Sequence, residues 1–174
     1  MAIVGIPEAI HDFNMYLTGN KLGGITGEAE MPPFESLTST VSGAGILGEY
    51  EAPTPGHFGS MEQEIPFRCI NRDYFNMVDP TQPLELTLRG AIQYAAASTQ
   101  ATEYMGMRVV FRGKPKNVNI GTVRQRGSMD STITLELTYV LVEMDGKSMI
   151  EIDKINPTYK VNGNDVLSKV KQLT

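Results

Sequence analysis

The C-terminal third of the chain restricts the possible folds more than any other segment. Residues Ser131–Asp153 alternate apolar and polar side chains, and Asp145-Gly146 interrupts the alternation. An Asp-Gly pair favours the two-residue type I′ turn of a β-hairpin, because that turn needs positive φ at both central positions. A hairpin closed at this turn brings apolar residues opposite each other in two pairs: Leu141 with Ile150, and Tyr139 with Ile152. The segment therefore predicts a long antiparallel hairpin.

The first strand of this hairpin becomes apolar on both faces after Thr138. Leu141 lies on one face, and three apolar residues share the other: Val140, Val142 and Met144. A strand with one solvent-facing side normally alternates apolar and polar residues. We therefore expect the second face to be covered, either by the C-terminal helix or by another subunit. On the second alternative, Val140, Val142 and Met144 are candidate subunit-interface residues.

Other segments also alternate with the period of a β-strand. The strands predicted in this way are a first hairpin from Phe13–Leu17 with its turn at Gly19-Asn20, then Met61–Cys69, Leu84–Tyr94, Met105–Phe111 and Gly121–Ser128. Two short helices are predicted, one capped by Asn71 and one capped by Asn162 or Asn164. No strand–helix repeats occur. Residues 1–174 are therefore expected to form a single, mainly β domain, an antiparallel sandwich or barrel with one or two short flanking helices and a long extended loop.

Residues 32–60 are rich in glycine and proline and show weak periodicity. This segment also carries apolar residues, more than a solvated linker needs: Ile46, Leu47, Tyr50 and Phe58. We interpret it as a long loop that becomes ordered against a partner. Residues Gly43–Gly48 spell G-x-G-x-x-G, but the preceding segment is mostly polar and prolines follow, so the strand and helix of a dinucleotide site are missing.

No set of residues predicts catalysis, a metal or a cofactor. His11 and His57 lack a second ligand at metal spacing, and Cys69, the only cysteine, is interpreted as a small buried residue. Glu62 and Glu64 have no identifiable partner acid. Arg124 and Arg126 lie on one predicted strand face, where an intersubunit ion pair is at least as plausible as a nucleic-acid contact.

The overall charge of −5 argues against a phosphate-binding surface, although an acidic channel could let DNA pass. The longest apolar runs are too short to span a membrane, and the N-terminus lacks the positive region of a secretory signal. We therefore expect no stable membrane association and assembly in a cytoplasm.

Nearly the whole chain resembles the major tail-tube proteins of contractile-tailed bacteriophages and of R-type bacteriocin-like particles. The resemblance lies in the order of four pieces: NMYLTGNKLGG at 14–24, GAGILGEYEAP at 43–53, ELTLRGAIQ at 85–93 followed by MRVVFRGKPK at 107–116, and the ending YVLVEMDGKSMIEIDKINPTYKVNG at 139–163. It implies a structural protein that forms hexameric rings, which stack into a hollow tube within the virion tail.

The resemblance also implies which residues make contacts. An N-terminal arm, residues 1–12, and the long loop would reach neighbouring subunits and the adjacent ring, with contacts by Gly43, Ala44, Gly45, Ile46, Leu47, Gly48, Tyr50 and His57. The implied partners are the chain itself, tail sheath, tape-measure, baseplate and tail-terminator proteins, with non-specific passage of DNA. Two alternatives stay open: a secretion-system tube protein and a monomeric ligand-binding β-barrel. A hydrolase is a distant third, because no nucleophile–base–orienter set can be assembled.

Overall fold

The computed structural model describes residues 5–174 of the chain. Strands dominate this part, and the two helices are short. The elements in chain order are β1 Gly5–Leu17, β2 Asn20–Lys21, β3 Ser36–Ser42, β4 Glu49–Phe58, β5 Glu62–Phe67, α1 Arg72–Phe75, β6 Leu84–Ala96, β7 Thr102–Asn119, β8 Ser131–Met144, β9 Lys147–Asp153, β10 Thr158–Val161, β11 Asn164–Asp165 and α2 Ser168–Leu173. The predicted class, mainly β with two short helices, is confirmed.

The strands form one large antiparallel sheet and one small one. In the large sheet the order is β11-β10-β9-β8-β7-β6-β1-β2, and β5 pairs with the first half of β8, on the side where β9 pairs with the second half. Strands β3 and β4 pair only with each other among the described elements. A two-residue turn joins β8 to β9 and residues 97–101 join β6 to β7, whereas β1 and β6 are neighbours although residues 18–83 separate them along the chain.

The hydrophobic core lies on one face of the large sheet. Leu86 and Leu88 of β6, Phe111 of β7, and Ile133 and Leu135 of β8 are all buried there. Helix α1 covers part of this face. Its N-cap Asn71 accepts a 2.9 Å hydrogen bond from the Tyr74 amide, as predicted, and the Tyr74 ring packs edge-on against Phe67 at 5.4 Å between centroids. The alternation of apolar residues in these strands therefore corresponds to the buried side of the sheet.

Strand β8 contains a β-bulge that explains its apolar residues on both faces. Arg112 pairs with Tyr139 but Gly113 pairs with Leu137, so Thr138 is an extra residue in β8. A bulge of this kind reverses which side chains face the core. Leu137 and Val140 are consequently both 0% exposed. The prediction of Val140 as a subunit-interface residue is wrong, because it is buried in the core of its own chain.

The other two residues of that predicted interface occupy intermediate positions. Val142 is partly buried and packs against the same core, and Met144 is half-buried near the end of the strand. Helix α2 does not cover this face, since none of its residues is buried. The bulge at Thr138 therefore explains why Val140, Val142 and Met144 are apolar, and helix α2 is not needed to cover them.

The turn at Asp145-Gly146 is confirmed, with φ of 49° and 74°. Met144 pairs with Lys147 and Glu143 with Ser148, but Val142 then pairs with Ile150. Met149 is thus an extra residue in β9, and Leu141 faces Glu151 while Tyr139 faces Asp153. The predicted Leu141–Ile150 and Tyr139–Ile152 pairs are wrong by one residue for this reason. Ile152 instead lies opposite Val140, inside the core.

The first hairpin is present but its turn differs from the prediction. Leu17 pairs with Asn20, so Thr18-Gly19 forms the turn, with positive φ at both positions. Residues 5–12 of the predicted N-terminal arm are part of β1, where they pair with β6. Residues 1–4 of that arm lie outside the described residues.

Three further predictions are corrected. Residues 121–128 form no strand, and Arg124 instead pairs with Asp130 at 2.9 Å within the same loop. Cys69 is exposed, because it follows the end of β5. Helix α2 begins after Leu167 without a side-chain cap, and the positive φ of Asn162 and Gly163 instead closes the turn between β10 and β11.

Candidate functional site

The segment predicted as a long loop is a β-hairpin. Strands β3 and β4 pair from Thr38 opposite Pro53 to Ser42 opposite Glu49. The prediction of an irregular loop over residues 32–60 is wrong for this part. Threonine, serine and valine favour β3, while Pro53 and Pro55 are tolerated in β4 because its other edge is unpaired. The usual alternation is absent because most side chains of the hairpin are exposed to solvent on both faces.

The tip of the hairpin is Gly43–Gly48. Gly43, Gly45 and Gly48 have φ of 150°, 89° and 91°, which L-residues rarely adopt, so the glycines permit this turn. The G-x-G-x-x-G pattern is therefore a hairpin tip. Leu47 projects from it with 107% relative exposure, and Ile46 is also exposed. Two adjacent aliphatic side chains at a projecting tip make the tip a candidate contact surface.

The base of the hairpin is attached to the rest of the domain. The ring of Phe58 packs edge-on against Tyr159 of β10 at 5.1 Å between centroids. The ammonium of Lys154 donates a 2.6 Å hydrogen bond to the carbonyl of Gly59. The side chain of Leu167 lies against Gly56, where a Cβ would meet it at 2.8 Å. These contacts fix the base beside β10 and leave the tip projecting.

The hairpin carries negative charge close to its apolar tip. Glu49 begins β4, and Glu51 accepts a 2.7 Å hydrogen bond from the hydroxyl of Thr40 across the hairpin. The hydrogen bonds from Thr40 and Thr38 lower the pKa of Glu51 below its ordinary value. Glu51 therefore remains ionised at neutral pH. Tyr50 and His57, also predicted as contact residues, are both exposed on β4.

Glu62, one of the two carboxylates considered for catalysis, lies in an exposed ion-pair network. Lys116 of β7 pairs with Glu62 of β5 and, at 3.4 Å, with Glu136 of β8. Ser60 donates a 2.6 Å hydrogen bond to Glu136. This network links three neighbouring strands. Within residues 5–174, no three histidine, cysteine, aspartate or glutamate residues are grouped as a metal site would require. Nor does that range contain a helix long and apolar enough to cross a membrane.

Sequence reasoning missed a groove beside β1. The first wall is β1 from Ile10 to Met15, the second is the segment 21–31, and Leu88 and Met107 lie at the bottom. Its volume is about 780 Å³. Segment 21–31 has four apolar residues among three glycines, a composition that could have suggested a loop packed on the sheet rather than a solvated turn.

Comparisons with known proteins agree with this architecture. The family model described as phage tail tube protein FII matches residues 7–173. The tail tube protein of Escherichia phage P2 is 28% identical over 95% of this chain and 96% of that protein. The major tail tube protein of Serratia phage KSP20 is 22% identical over 94% of this chain and 92% of that protein.

A solved structure shares the fold. It is a chain from the sheath/tube terminator of an extracellular contractile injection system, PVC, in the extended state, which superposes with a TM-score of 0.54 at 14% identity over 81% of this chain and 99% of that chain. This likeness concerns the fold alone. Since the family model extends over nearly all of the sequence, the chain belongs to the phage tail tube protein FII family.

Proposed function

We propose that this chain assembles into stacked hexameric rings that form the hollow inner tube of a contractile phage tail or of a phage-tail-like particle. The β3–β4 hairpin is the main inter-subunit contact, with Gly43–Gly48, Tyr50 and His57 reaching the neighbouring subunit or ring. The observation that carries this proposal is the hairpin itself, which is fixed at its base and presents an unpartnered Leu47 at its tip. A monomer gains nothing from exposing such a side chain, whereas a polymer buries it.

The tube would act as a conduit for DNA, or as the rigid part that punctures a membrane. Its further partners would be sheath, tape-measure, baseplate and tail-terminator proteins, and assembly would take place in the host cytoplasm. We propose no catalytic role. Glu62 and Glu136 share the ammonium of Lys116 in an exposed ion-pair network.

The test replaces Gly43–Gly48 by Asn-Gly. This change keeps the Ser42–Glu49 pair and closes it with a two-residue turn, so that the hairpin loses only its tip. We expect an unchanged thermal unfolding midpoint and no tubes by negative-stain electron microscopy, in the presence of a baseplate-type nucleus. The unmodified chain should form hollow tubes of uniform diameter under the same conditions.

A matched control replaces Asp145-Gly146 by Asn-Gly in the turn between β8 and β9. This change also alters a turn, but it keeps the turn length and positive-φ preference and lies away from the tip. The control should assemble normally. Normal tubes from the tip variant would show that the hairpin is not the assembly contact. A strictly monomeric unmodified chain, with the nucleus present, would contradict the tube function itself.

A further inference from the structure

We propose that the groove beside β1 is the receptor for the hairpin tip of a second copy of this chain. The inference rests on the proposed function, because it names the surface that the projecting hairpin meets. The groove and the hairpin are two different surfaces of the same chain. A contact of this heterologous kind leaves a free hairpin at one end of the assembly and a free groove at the other, so it propagates from copy to copy.

The groove is an opening in the hydrophobic core rather than a polar surface cleft. Met15, Leu22 and Leu88 are buried core residues, and Phe13 and Met107 pack against the same cluster. At the rim, however, Ile10 is 49% exposed and Met31 is 39% exposed. Apolar side chains are therefore open to water around a concave site. A volume of about 780 Å³ is comparable to sites that enclose whole small ligands and accommodates two aliphatic side chains.

The chain does not fill this groove with its own hairpin. The hairpin is attached beside β10, whereas the groove lies beside β1, and four strands separate β10 from β1 in the large sheet. Leu47 at the tip is fully exposed and Ile46 is 38% exposed. The groove and the tip are both unoccupied apolar surfaces, so burying one in the other removes both from water.

The shape of the tip suits a narrow site. Gly43, Gly45 and Gly48 carry no side chains, and nothing lies within 4 Å of where their Cβ atoms would be. Ile46 and Leu47 are consequently the only large side chains between Ser42 and Glu49. A slender turn bearing two adjacent aliphatic groups can enter a groove between a strand and a loop, and the glycines allow close approach of its backbone.

The groove carries charges of both signs. Lys21 lies on the groove and forms no ion pair within residues 5–174, and His11 lies nearby. The groove also contains Asp12, whose carboxylate accepts a 2.8 Å hydrogen bond from the amide of Phe13, and Glu28. Glu49, directly after the tip, would meet Lys21 when the tip is inserted. Asp12 and Glu28 would repel Glu49, so the pair with Lys21 would restrict the orientation of docking.

Disulfide cross-linking in assembled tubes tests the contact directly. In a Cys69→Ser background, Leu47→Cys is combined with Ile10→Cys in one variant and with Met31→Cys in a second. After mild oxidation, we expect a non-reducing gel to show a ladder of trimers and larger species for at least one pair. The single-cysteine variants should give no species beyond a dimer. A matched control combines Leu47→Cys with Val123→Cys, an exposed loop position outside the groove, and should give no ladder.

A charge exchange provides a second test. Lys21→Glu and Glu49→Lys should each raise the critical concentration for assembly about threefold to tenfold, and the double variant should restore it to near the original value. Normal tubes without a ladder from either pair, and without rescue by the double variant, would overturn the groove assignment and leave the tube function standing. Failure of the unmodified chain to form tubes on a baseplate-type nucleus would overturn the tube function, and the groove assignment with it.

Discussion

The second half of β8 and the tip of the β3–β4 hairpin are both rich in aliphatic residues, yet they have opposite environments. Val140 is 0% exposed and lies opposite Ile152 in the core, whereas Leu47 at the hairpin tip is fully exposed. The first arrangement contributes to the stability of the monomer, because apolar area leaves water when the chain folds. The second can contribute only when another molecule covers it. Aliphatic residues therefore indicate burial, but not whether the burial occurs within a chain or between chains.

Strand β8 and the β3–β4 hairpin also differ in how their backbones are paired. Strand β8 is paired with β7 along its length, and with β5 and β9 on its other side, so its polar groups are satisfied by neighbours on both sides. The hairpin pairs only with itself among the described strands. A change in β8 should therefore alter the free energy of unfolding, and a change at the tip should alter assembly. The following predictions test whether stability and assembly are separated in this way.

The largest difference in unfolding free energy is expected when a carboxylate is placed at Val140 in one variant and at Leu47 in another. Val140→Asp buries a carboxylate without a partner in the core and should cost more than about 4 kcal/mol of unfolding free energy, a large part of the stability of a small domain. Leu47→Asp places the same group in water and should change that free energy by less than about 0.5 kcal/mol. Urea unfolding followed by circular dichroism measures both.

Electron microscopy completes the comparison. Leu47→Asp should remain folded and form no tubes, because an ionised tip cannot be buried against an apolar surface. If Val140→Asp folded normally, the assignment of Val140 to the core would be wrong and its original prediction as an interface residue would regain support. If Leu47→Asp assembled normally, the tip would not be buried in the tube.

A smaller difference in stability is expected between alanine variants of two glycines, Gly113 in the large sheet and Gly45 at the hairpin tip. A Cβ on Gly113 would collide with the backbone carbonyl of Glu136 in β8 and lie 3.1 Å from the Cα of Leu137. Gly113→Ala should therefore cost about 1–3 kcal/mol, because paired strands must move apart. Gly45→Ala meets no atom within 4 Å and should cost at most about 1–2 kcal/mol from its positive φ.

The two glycine variants should also differ in where the cost appears. Gly113→Ala should lower the thermal midpoint of the whole domain, whereas Gly45→Ala should affect hydrogen exchange only in the hairpin, because the tip can relax into solvent. An equal shift of the thermal midpoint in both variants would show that the hairpin unfolds together with the core, and the separation would then fail.

The sequence was informative wherever one local signal was sufficient. The Asp145-Gly146 turn, the Asn71 cap and the alternation of Leu84, Leu86 and Leu88 were all recognised correctly. The β-bulges in β8 and β9 were not recognised, because a bulge depends on how two strands fit together. The extra residues Thr138 and Met149 change neither composition nor turn chemistry, yet they move every later residue to the other face or shift its partner.

The sequence showed where in the chain the candidate contact residues lie, but not that they form the tip of a β-hairpin. Residues 43–48 attracted attention because they combine glycines with Ile46 and Leu47, and these are the residues that project. The strands beside them escaped recognition because alternation appears only when one face is buried, and β3 and β4 have no such face in the monomer. The groove could not be predicted, because its walls are distant in sequence and its bottom includes Leu88 and Met107 from two other strands.

The smallest effect on stability is expected from substitutions at Asp153 and Asn156. These residues lie at the turn between β9 and β10, on the side of the domain that holds the hairpin base. Burial would raise the pKa of Asp153, but hydrogen bonds from the amides of Asn156 and Ile155 and from the Asn156 side chain outweigh it and lower the pKa below the ordinary 3.8. The carboxylate accepts these bonds at 2.9, 2.9 and 3.0 Å. A carboxylate with a lowered folded-state pKa stabilises the fold above its unfolded-state pKa and loses that contribution as the pH falls through the folded-state value.

Asp153→Asn should therefore be less stable than the unmodified chain near neutral pH, by less than about 1 kcal/mol because the site is half-exposed. The difference should shrink as the pH falls below 3.8, where the native carboxylate becomes protonated. Asn156→Ala removes only the side-chain donor and should show a weaker form of the same pH dependence. Urea unfolding at pH 7 and pH 3 measures these differences, and a gap that widened at low pH would contradict the assigned direction. Tube formation at pH 7 should be unchanged in both variants, because this turn supports the base of the hairpin without reaching its tip.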